Sequence, residues 1–213
     1  MTINVSPLKV ATPKPAKSST RLNTSLISST PPINDSVTLQ SQTDLAPALA
    51  SIHTEAGTPL LDLAETSPVL LIFLRHFGCS FCRQAISDIA DVHPQLTARN
   101  VRPVFVHLGT PDRAKTYFDY YRLSDVERIS DPEASIYHLP AFALGRLHPA
   151  LNLLNPRVWL GWIRGSIVKH GIGTFKEDAH QLPGLFLLKG PQIVRRFRYK
   201  SIADRPNYVK FVS

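Results

Sequence analysis

Apolar residues follow two different patterns in the middle of the chain. An unbroken apolar run at residues 68–74 shows no polar alternation, which is typical of a central strand covered on both faces. After this run, apolar residues recur with helical spacing, at Cys82, Ala85, Ile86, Ile89 and His93. The pattern therefore predicts a buried strand that leads into an amphipathic helix, which Pro94 would kink or interrupt.

Strands and helices continue to alternate further along the chain. The predicted elements are a strand at 101–108, a helix at 112–123, a strand at 127–131, a helix through 137, and strands at 185–188 and 193–199. Thr110 and Pro111 are suited to the N-cap and first position of the helix at 112–123. Asp131 is expected to cap a turn. The last two strands are joined by a Gly-containing connection of hairpin length, so they should pair antiparallel.

The remaining segments are less regular. Residues 53–61 resemble two short strands around a turn at Gly57. Residues 139–180 contain a predicted basic amphipathic helix. A membrane-surface role is one alternative for it, but we expect Trp159 and Trp162 to pack over the core or the active site. The whole order predicts an α/β fold, in which helices flank a central mixed β-sheet.

Composition divides the chain into a tail and one domain. Residues 1–45 are rich in Pro, Ser and Thr and predict a disordered tail, whereas residues 46–213 predict one folded domain. The first 34 residues carry basic but no acidic side chains, as organelle transit peptides do. We expect a cytoplasmic protein, with an organelle such as the plastid as the alternative if the tail is a transit peptide. No apolar run approaches the roughly 20 residues of a membrane span, so we expect a soluble protein.

The net charge of +8 is concentrated near the carboxyl terminus. The basic residues there are Lys189, Arg195, Arg196, Arg198, Lys200, Arg205 and Lys210, and they face only Asp204. Such a patch can attract nucleic acid or anionic membrane. No nucleic-acid motif accompanies it, so we favour the solvated face of an edge strand, where positive charge discourages aggregation.

The chain has two cysteines, and they stand at the predicted junction of strand and helix as Cys79-Ser80-Phe81-Cys82. A helix N-terminus presents unpaired N–H groups and partial positive charge, and both stabilise a thiolate. The thiolate is the nucleophilic form, so this placement predicts a reactive sulfur. Helical spacing puts Cys82 on the buried stripe and leaves Cys79 nearer solvent. Two inert buried cysteines are the alternative.

Metal binding is a further alternative for the cysteine pair. A structural zinc ion usually takes four ligands, and the two cysteines would need help from His76, His93 or His107. No second Cys-x-x-Cys pair and no spaced histidine pair appears in the sequence. We therefore expect neither a metal nor a cofactor.

Three stretches carry a resemblance to a known family, and they are residues 73–83, 130–133 and 181–188. The chain resembles the thioredoxin superfamily. Within it, the chain resembles the peroxiredoxin-like branch of alkyl hydroperoxide reductases and thiol-specific antioxidants that carries a Cys-x-x-Cys motif, similar to the selenoprotein L-type group. The resemblance implies a thioredoxin-like fold and a cis Pro183 beside the cysteines. It also implies that Phe77 and Gly78 contribute to substrate binding.

The resemblance also implies a thiol-dependent antioxidant oxidoreductase. In this hypothesis Cys79 attacks a hydroperoxide or a disulfide, and Cys82 resolves the product to a Cys79–Cys82 disulfide. Thioredoxin, glutaredoxin or glutathione would then restore the thiols. Arg75 or Arg83 could stabilise the thiolate, while His76 could shuttle a proton or point away from the site. The competing hypothesis is a non-enzymatic redox sensor or interaction protein that uses the same disulfide as a switch.

The chain departs from its relatives at three positions. Typical peroxiredoxins have Pro and Thr, or Ser, seven and three residues before the reactive cysteine, where this chain has Ile72 and His76. The hydroxyl that helps to orient a peroxide is thus missing from the motif. Typical thioredoxins have Trp where this chain has Gly78.

Overall fold

The computed structural model describes residues 45–146, 180–201 and 204–213. The predicted tail and the predicted helix with Trp159 and Trp162 lie outside the described residues, apart from the last residue of the tail.

Five strands form a mixed sheet, as predicted. They are β1 (Val69–Phe73), β2 (Arg102–His107), β3 (Glu127–Ser130), β4 (Gly184–Lys189) and β5 (Gln192–Arg198). The order across the sheet is β3-β2-β1-β4-β5. The first three strands pair in parallel, while β4 is antiparallel to both β1 and β5. The carboxyl ends of β1 and β2 therefore meet at one edge, where the cysteine loop begins.

Five helices are described. They are α1 (Leu45–Ser51), α2 (Leu60–Thr66), α3 (Ser80–Thr97), α4 (Pro111–Tyr120) and α5 (Tyr208–Phe211). As predicted, α3 and α4 follow β1 and β2, and Thr110 and Pro111 take the N-cap and first positions of α4. Pro94 lies inside α3 without ending it, because its missing N–H affects only the last turn. Within the described ranges, no helix combines the length and apolar character needed to cross a bilayer.

The apolar run of β1 is continuous because both faces of this strand are covered. Val69, Leu71 and Phe73 pack into a cluster with α1 and α2. The alternate residues, Leu70 and Ile72, pack into a second cluster with α3, α4 and α5. Helices on both faces of a central sheet give the three-layer α/β arrangement that the sequence predicts.

The prediction for residues 53–61 is wrong in part. His53 and Pro59 form a single bridge around the turn at Gly57, where φ is +87°. The predicted second strand is instead the start of α2. Leu60, Leu63 and Ala64 of this helix are buried, at the i, i+3, i+4 spacing of one helical face.

The predicted helix through residue 137 is also wrong, because residues 131–142 form successive turns. The Asp131 carboxylate caps the first of them and accepts from Ser135 N (3.0 Å), Ser135 Oγ (2.8 Å) and Ile136 N (2.8 Å). These local bonds compete with helical ones. The Tyr137 hydroxyl then donates to the carbonyls of Leu74 and Val106, which ties the turns to the ends of β1 and β2.

The carboxyl-terminal hairpin matches its prediction. Gly190 forms the turn with φ of +53°, a left-handed conformation that glycine adopts without strain. β5 is the last strand on this side of the described sheet and carries Arg195 and Arg198. Arg195 donates to the carbonyls of Phe211 (3.0 Å) and Ser213 (2.9 Å), and Arg198 Nε donates to Phe142 O (2.8 Å). Two residues of the basic patch, Arg195 and Arg198, thus donate hydrogen bonds to backbone carbonyls of neighbouring segments.

Candidate active site

Cys79 stands where the loop after β1 becomes α3. It is the N-cap of this helix and has an extended backbone (φ −78°, ψ 122°). Its N–H donates to His76 O (3.0 Å), and its carbonyl accepts from the N–H groups of Cys82 (3.1 Å) and Arg83 (3.1 Å). Both thiols are free. Cys79 is 8% exposed and Cys82 4%, so Cys79 is less buried only by a narrow margin.

The sulfur of Cys79 is held largely as a thiolate. A hydrogen bond from the Cys82 thiol lowers its pKa most, burial opposes ionisation, and the Arg75 charge lowers the pKa further, to about 6. The Arg75 Nη1 atom lies 3.6 Å from the sulfur. The N–H groups of Phe81 and Cys82 also lower the pKa, although neither has the geometry of a hydrogen bond to the sulfur. A pKa of about 6 favours the thiolate form of Cys79 at neutral pH.

Cys82 has the opposite character. Burial raises the pKa of its thiol well above the usual range, and the neighbouring Cys79 sulfur raises it further. The backbone N–H of Arg75 donates to the Cys82 sulfur at 3.3 Å. The pair therefore combines one ionised nucleophile with one protonated thiol, and a single arginine contacts both sulfurs, one through its guanidinium and the other through its backbone.

A cavity of about 230 Å³ opens beside both cysteines. Its apolar wall includes Ile72, Leu74, Phe81, Ala85 and Pro183. Its polar wall includes Arg75, Gln84, Asp88, Tyr199, Asp204, Arg205 and Tyr208. A single water needs about 30 Å³, so the cavity can admit a small organic molecule up to the sulfurs.

Two tyrosines bring hydroxyl groups to this cavity. Tyr208 begins α5 and is 5% exposed, and Tyr199 follows β5 and is partly buried. Burial raises the pKa of both phenols well above the usual range. Both rings line the same cavity as Cys82, and the negative charge of a Cys82 thiolate would raise both pKa values further. Both phenols are therefore protonated at neutral pH and can donate.

The segment that carries Tyr208 is tied to the cysteine helix. Arg205 Nε donates to Asp88 Oδ2 on α3 at 2.7 Å, and Arg205 Nη2 pairs with Asp88 Oδ1. α5 packs against α3, and its first turn is capped by Asn207, which accepts from Lys210 N (2.9 Å). These contacts fix one wall of the cavity.

Three residues singled out from the sequence lie away from the cavity. The side chain of His76 is buried at 2% exposure, and it is not among the lining residues. Phe77 stacks on Tyr117 at a centroid distance of 4.9 Å, on the side of the loop that faces β2 and α4. The carbonyl of Gly78 accepts a hydrogen bond from Arg83 Nη2 (3.3 Å). The cavity therefore unites Cys79, Cys82, Arg75 and Pro183, but not these three residues.

The prediction of a cis Pro183 is wrong. None of the described peptide bonds is cis. The chain before Pro183 is extended because Gln181 bridges to Arg146 and Leu182 N donates to Gly145 O at 3.0 Å. Pro183 nevertheless lines the cavity beside the cysteines. The next residue is Gly184, and a larger residue would be crowded there because its Cβ would lie 2.5 Å from the Leu144 side chain.

A second polar cluster lies on the other side of Phe77. Glu55 Oε1 is 2.9 Å from His107 Nε2, and Glu55 Oε2 is 2.9 Å from Arg128 Nε. His107 Nδ1 lies 2.9 Å from Gly109 O, so each ring nitrogen faces an oxygen atom. Burial raises the pKa of Glu55, but the hydrogen bonds from His107 and Arg128 outweigh it and lower the pKa.

The described residues contain no group of three or more His, Cys, Asp or Glu side chains placed to hold a metal ion.

Sequence reasoning missed Tyr199, Tyr208, Asp88 and Arg205 as parts of this site. Asp88 had a local signal, because it lies on α3 near the stripe that carries Cys82. The two tyrosines and Arg205 had none, since they follow the cysteines by more than 110 positions. They reach the cavity only because the β4–β5 hairpin pairs with β1 and returns the chain to α3.

Two curated relatives match segments of the chain. The thioredoxin-like protein AAED1, chloroplastic, of Arabidopsis thaliana is 29% identical over 87 residues, which are 41% of this chain and 35% of that protein. A prostamide/prostaglandin F synthase of Salmo salar is 43% identical over 42 residues, which are 20% of this chain and 21% of that protein. The matches thus span about a third and a fifth of the relatives' own lengths. No protein-family model matches the chain.

Solved structures cover more of the chain. The bacterioferritin comigratory protein of Xanthomonas campestris superposes with a TM-score of 0.52 at 13% identity, covering 75% of this chain and 88% of the other. A mutant of peroxiredoxin Q from the same organism gives a TM-score of 0.51 at 15% identity, with the same coverage. At these identities the likeness shows the fold, and the fold is the predicted thioredoxin-like one. The predicted resemblance to thioredoxin-like and peroxiredoxin-like proteins is confirmed.

Proposed function

We propose that this thioredoxin-like chain is a thiol-dependent oxidoreductase that reduces hydroperoxides, or alternatively disulfides, through Cys79 and Cys82. The observation that carries the proposal is an ionised Cys79 sulfur, with a pKa of about 6, that lines a cavity large enough for a small substrate. A low-pKa cysteine with access to a cavity has the character of a nucleophile rather than of a structural thiol.

In the first step the Cys79 thiolate attacks the terminal oxygen of a hydroperoxide. The S–O bond forms, the O–O bond breaks, and the remaining oxygen leaves as an alcohol after it gains a proton. The sulfur gives up two electrons and becomes a sulfenic acid. Arg75, 3.6 Å from the sulfur, holds the anion before attack.

In the second step Cys82 attacks the sulfenic sulfur. The S–S bond forms, and the sulfenic oxygen leaves with the Cys82 proton as water. The raised pKa of Cys82 favours this order, because a protonated thiol does not compete for the first attack. The role of resolving cysteine suits its position one turn into α3.

An external thiol reductant would complete the cycle. Two electrons and two protons from thioredoxin, glutaredoxin or glutathione would restore both thiols through a mixed disulfide. The name of the Arabidopsis relative and the redox proteins among the structural neighbours support a thiol-based partner.

Peroxide consumption by purified protein tests the proposal. With a dithiol reductant, the wild type should consume cumene hydroperoxide repeatedly, and Cys79→Ser should lose about 10³-fold or more of this rate. Cys82→Ser should consume one equivalent and stall as a sulfenic acid that dimedone labels. Peroxide loss that persists in Cys79→Ser would refute the assigned roles. Turnover of glutathione disulfide without any turnover of peroxide would favour the disulfide substrate.

A redox sensor is the second candidate, and the burial of both cysteines favours it. Disulfide formation would alter the sulfur that accepts from the Arg75 N–H, so this loop would respond to the redox state. Rapid oxidation to a stable disulfide, without multiple turnover under any of the three reductants, is the result that would identify a sensor.

We further propose a plastid location for the protein. The Arabidopsis relative is named as chloroplastic, which supports the transit-peptide alternative over a cytoplasmic location. Residues 1–45 fused to a fluorescent protein should direct it to plastids if this alternative is right. Diffuse cytoplasmic fluorescence would support the first expectation instead.

A further inference from the structure

We infer that the Tyr208 hydroxyl donates the proton that the leaving oxygen of the peroxide requires, and that Tyr199 positions this hydroxyl. The inference rests on the proposed function and adds a catalytic residue to it. It also answers a question raised by the sequence, because the motif has His76 where peroxiredoxins have a peroxide-orienting hydroxyl.

The cavity contains few groups that could perform this task. Arg75 contacts the Cys79 sulfur, and Arg205 is bound by Asp88. Guanidinium groups also retain their protons throughout the physiological range, and the amide of Gln84 is too weak an acid to give one up. Asp204 accepts from the N–H groups of Lys200 (2.8 Å) and Ser201 (3.0 Å), so it serves as an acceptor. Among the described side chains that line the cavity, the phenols and the Cys82 thiol remain as proton donors.

The two phenols are not equivalent. Tyr208 is 5% exposed at the start of α5, whereas Tyr199 is only partly buried. Both phenols line the cavity with Cys79 and Cys82, and their hydroxyl groups interact with each other. The more buried phenol, Tyr208, is therefore assigned as the donor, and Tyr199 as the residue that positions it and connects it to solvent.

Burial, and after it the neighbouring carboxylates, keeps both phenols protonated until reaction. Asp88 lies near Tyr208 and Asp204 near Tyr199, and each carboxylate raises the pKa of its phenol. Arg205 acts in the opposite direction on Tyr208. A phenol is still a much stronger acid than the alcohol formed from an alkyl hydroperoxide, so transfer to the departing alkoxide runs downhill.

The step is balanced as follows. The Cys79 thiolate bonds to the terminal peroxide oxygen, the O–O bond breaks, and the departing alkoxide takes the Tyr208 proton and leaves as an alcohol. Solvent then reprotonates the Tyr208 phenolate by way of Tyr199. The substrate that needs this help most is a hydroperoxide with a poor, strongly basic leaving group.

Leaving-group dependence tests the inference. In single-turnover reactions followed by stopped flow, Tyr208→Phe should react about 100-fold more slowly than wild type with tert-butyl hydroperoxide. The same variant should react with peracetic acid within about threefold of wild type, because a carboxylate leaves without a proton donor. Tyr199→Phe should lose about tenfold with tert-butyl hydroperoxide. Alkylation of Cys79 by iodoacetamide should not change in either variant.

Matched variants separate this role from a structural one. Tyr120→Phe makes the same change on a ring that is 66% exposed, and it should behave as wild type. Equal slowing with both oxidants, or slower alkylation, would show that Tyr208 supports only the structure and would overturn the inference. The inference would also be overturned if Tyr208→Phe reacted at the wild-type rate while Cys82→Ala slowed only with tert-butyl hydroperoxide. That result would make Cys82 the proton donor. If wild type reacts with neither oxidant, the proposed function itself fails, and this role fails with it.

Discussion

Two buried polar regions lie at the carboxyl edge of β1 and β2, and they handle charge differently. In the region of Glu55, His107 and Arg128, each carboxylate oxygen meets one donor at 2.9 Å, and none of the three residues lines the cavity. In the region of Cys79, Arg75 approaches the sulfur at 3.6 Å and the cavity adjoins it. The Phe77 ring separates the two regions and lies 5.2 Å from the His107 ring.

The difference shows how burial of charge can serve stability or reactivity. A carboxylate with both oxygens bound is held in one arrangement and has nothing left to react with. A thiolate stabilised from one side keeps its other side for a substrate. Mutations in the first region should therefore change folding, and mutations in the second should change the chemistry of Cys79.

Arg75→Met should give the largest effect within the cavity region. Loss of the guanidinium removes a hydrogen bond to a charged group, so the pKa of Cys79 should rise by about 1–2 units. At pH 5, the rate of iodoacetamide alkylation should fall about 10- to 100-fold, while Arg75→Lys should retain part of the rate. Arg83→Met is the matched control, because Arg83 Nη2 donates to Gly78 O rather than to a sulfur. If Arg83→Met shifted the pKa of Cys79 by the same amount, Arg75 would not be the specific stabiliser of the thiolate.

Glu55→Gln should reduce stability and leave the thiol unchanged. The buried His107 and the partly buried Arg128 lose their anionic acceptor, so the free energy of unfolding in urea at pH 7 should fall by about 2 kcal/mol. The folded pKa of Glu55 is below its usual value of 4.5, so the carboxylate stabilises the fold above this pH. The contribution is lost as pH falls through the lower, folded pKa, and the gap between wild type and variant should close there.

The exposed Glu65 on α2 provides the control for this variant, and Glu65→Gln should unfold as wild type does. A shift of the Cys79 pKa in Glu55→Gln would contradict the separation of the two regions.

Asp88→Asn should give the smallest effect. It removes the ion pair with Arg205, whose side chain is 59% exposed, and such pairs contribute about 0–1 kcal/mol. The loss of unfolding free energy should be measurable in low salt. It should disappear in 1 M salt, because the Debye length there is only about 3 Å and the exposed charges are screened from each other. Asp119→Asn breaks the more exposed pair with Lys115 and should have no detectable effect. A salt-independent loss above about 2 kcal/mol would mean that Asp88 belongs with the buried clusters.

The sequence is most informative where local pattern and tertiary packing agree. The continuous apolar run of β1 predicts a strand buried on both faces, and the helical stripe after it predicts α3. The hairpin of β4 and β5 follows from its short Gly-containing connection. The position of Cys79 at the start of α3 follows from the strand pattern and the helix pattern together. The candidate nucleophile could therefore be predicted from the sequence.

The remainder depends on contacts that are distant in sequence. α1 and α2 have seven residues each and α5 has four, which is too short for a helix without tertiary support. The chain before Pro183 pairs with Arg146, which lies 35 positions before Gln181. Tyr199 and Tyr208 reach the cavity through the sheet topology, so no local spacing could associate them with Cys79.

The pH dependence of Cys79 alkylation tests the central claim most directly. Wild-type protein is treated with iodoacetamide between pH 4 and 10, and the modified cysteine is identified by peptide mass spectrometry. The account predicts that Cys79 is modified first, with a midpoint at about 6, while Cys82 stays protected. A midpoint at or above about 8.5, the value of an ordinary thiol, or preferential modification of Cys82, would contradict it.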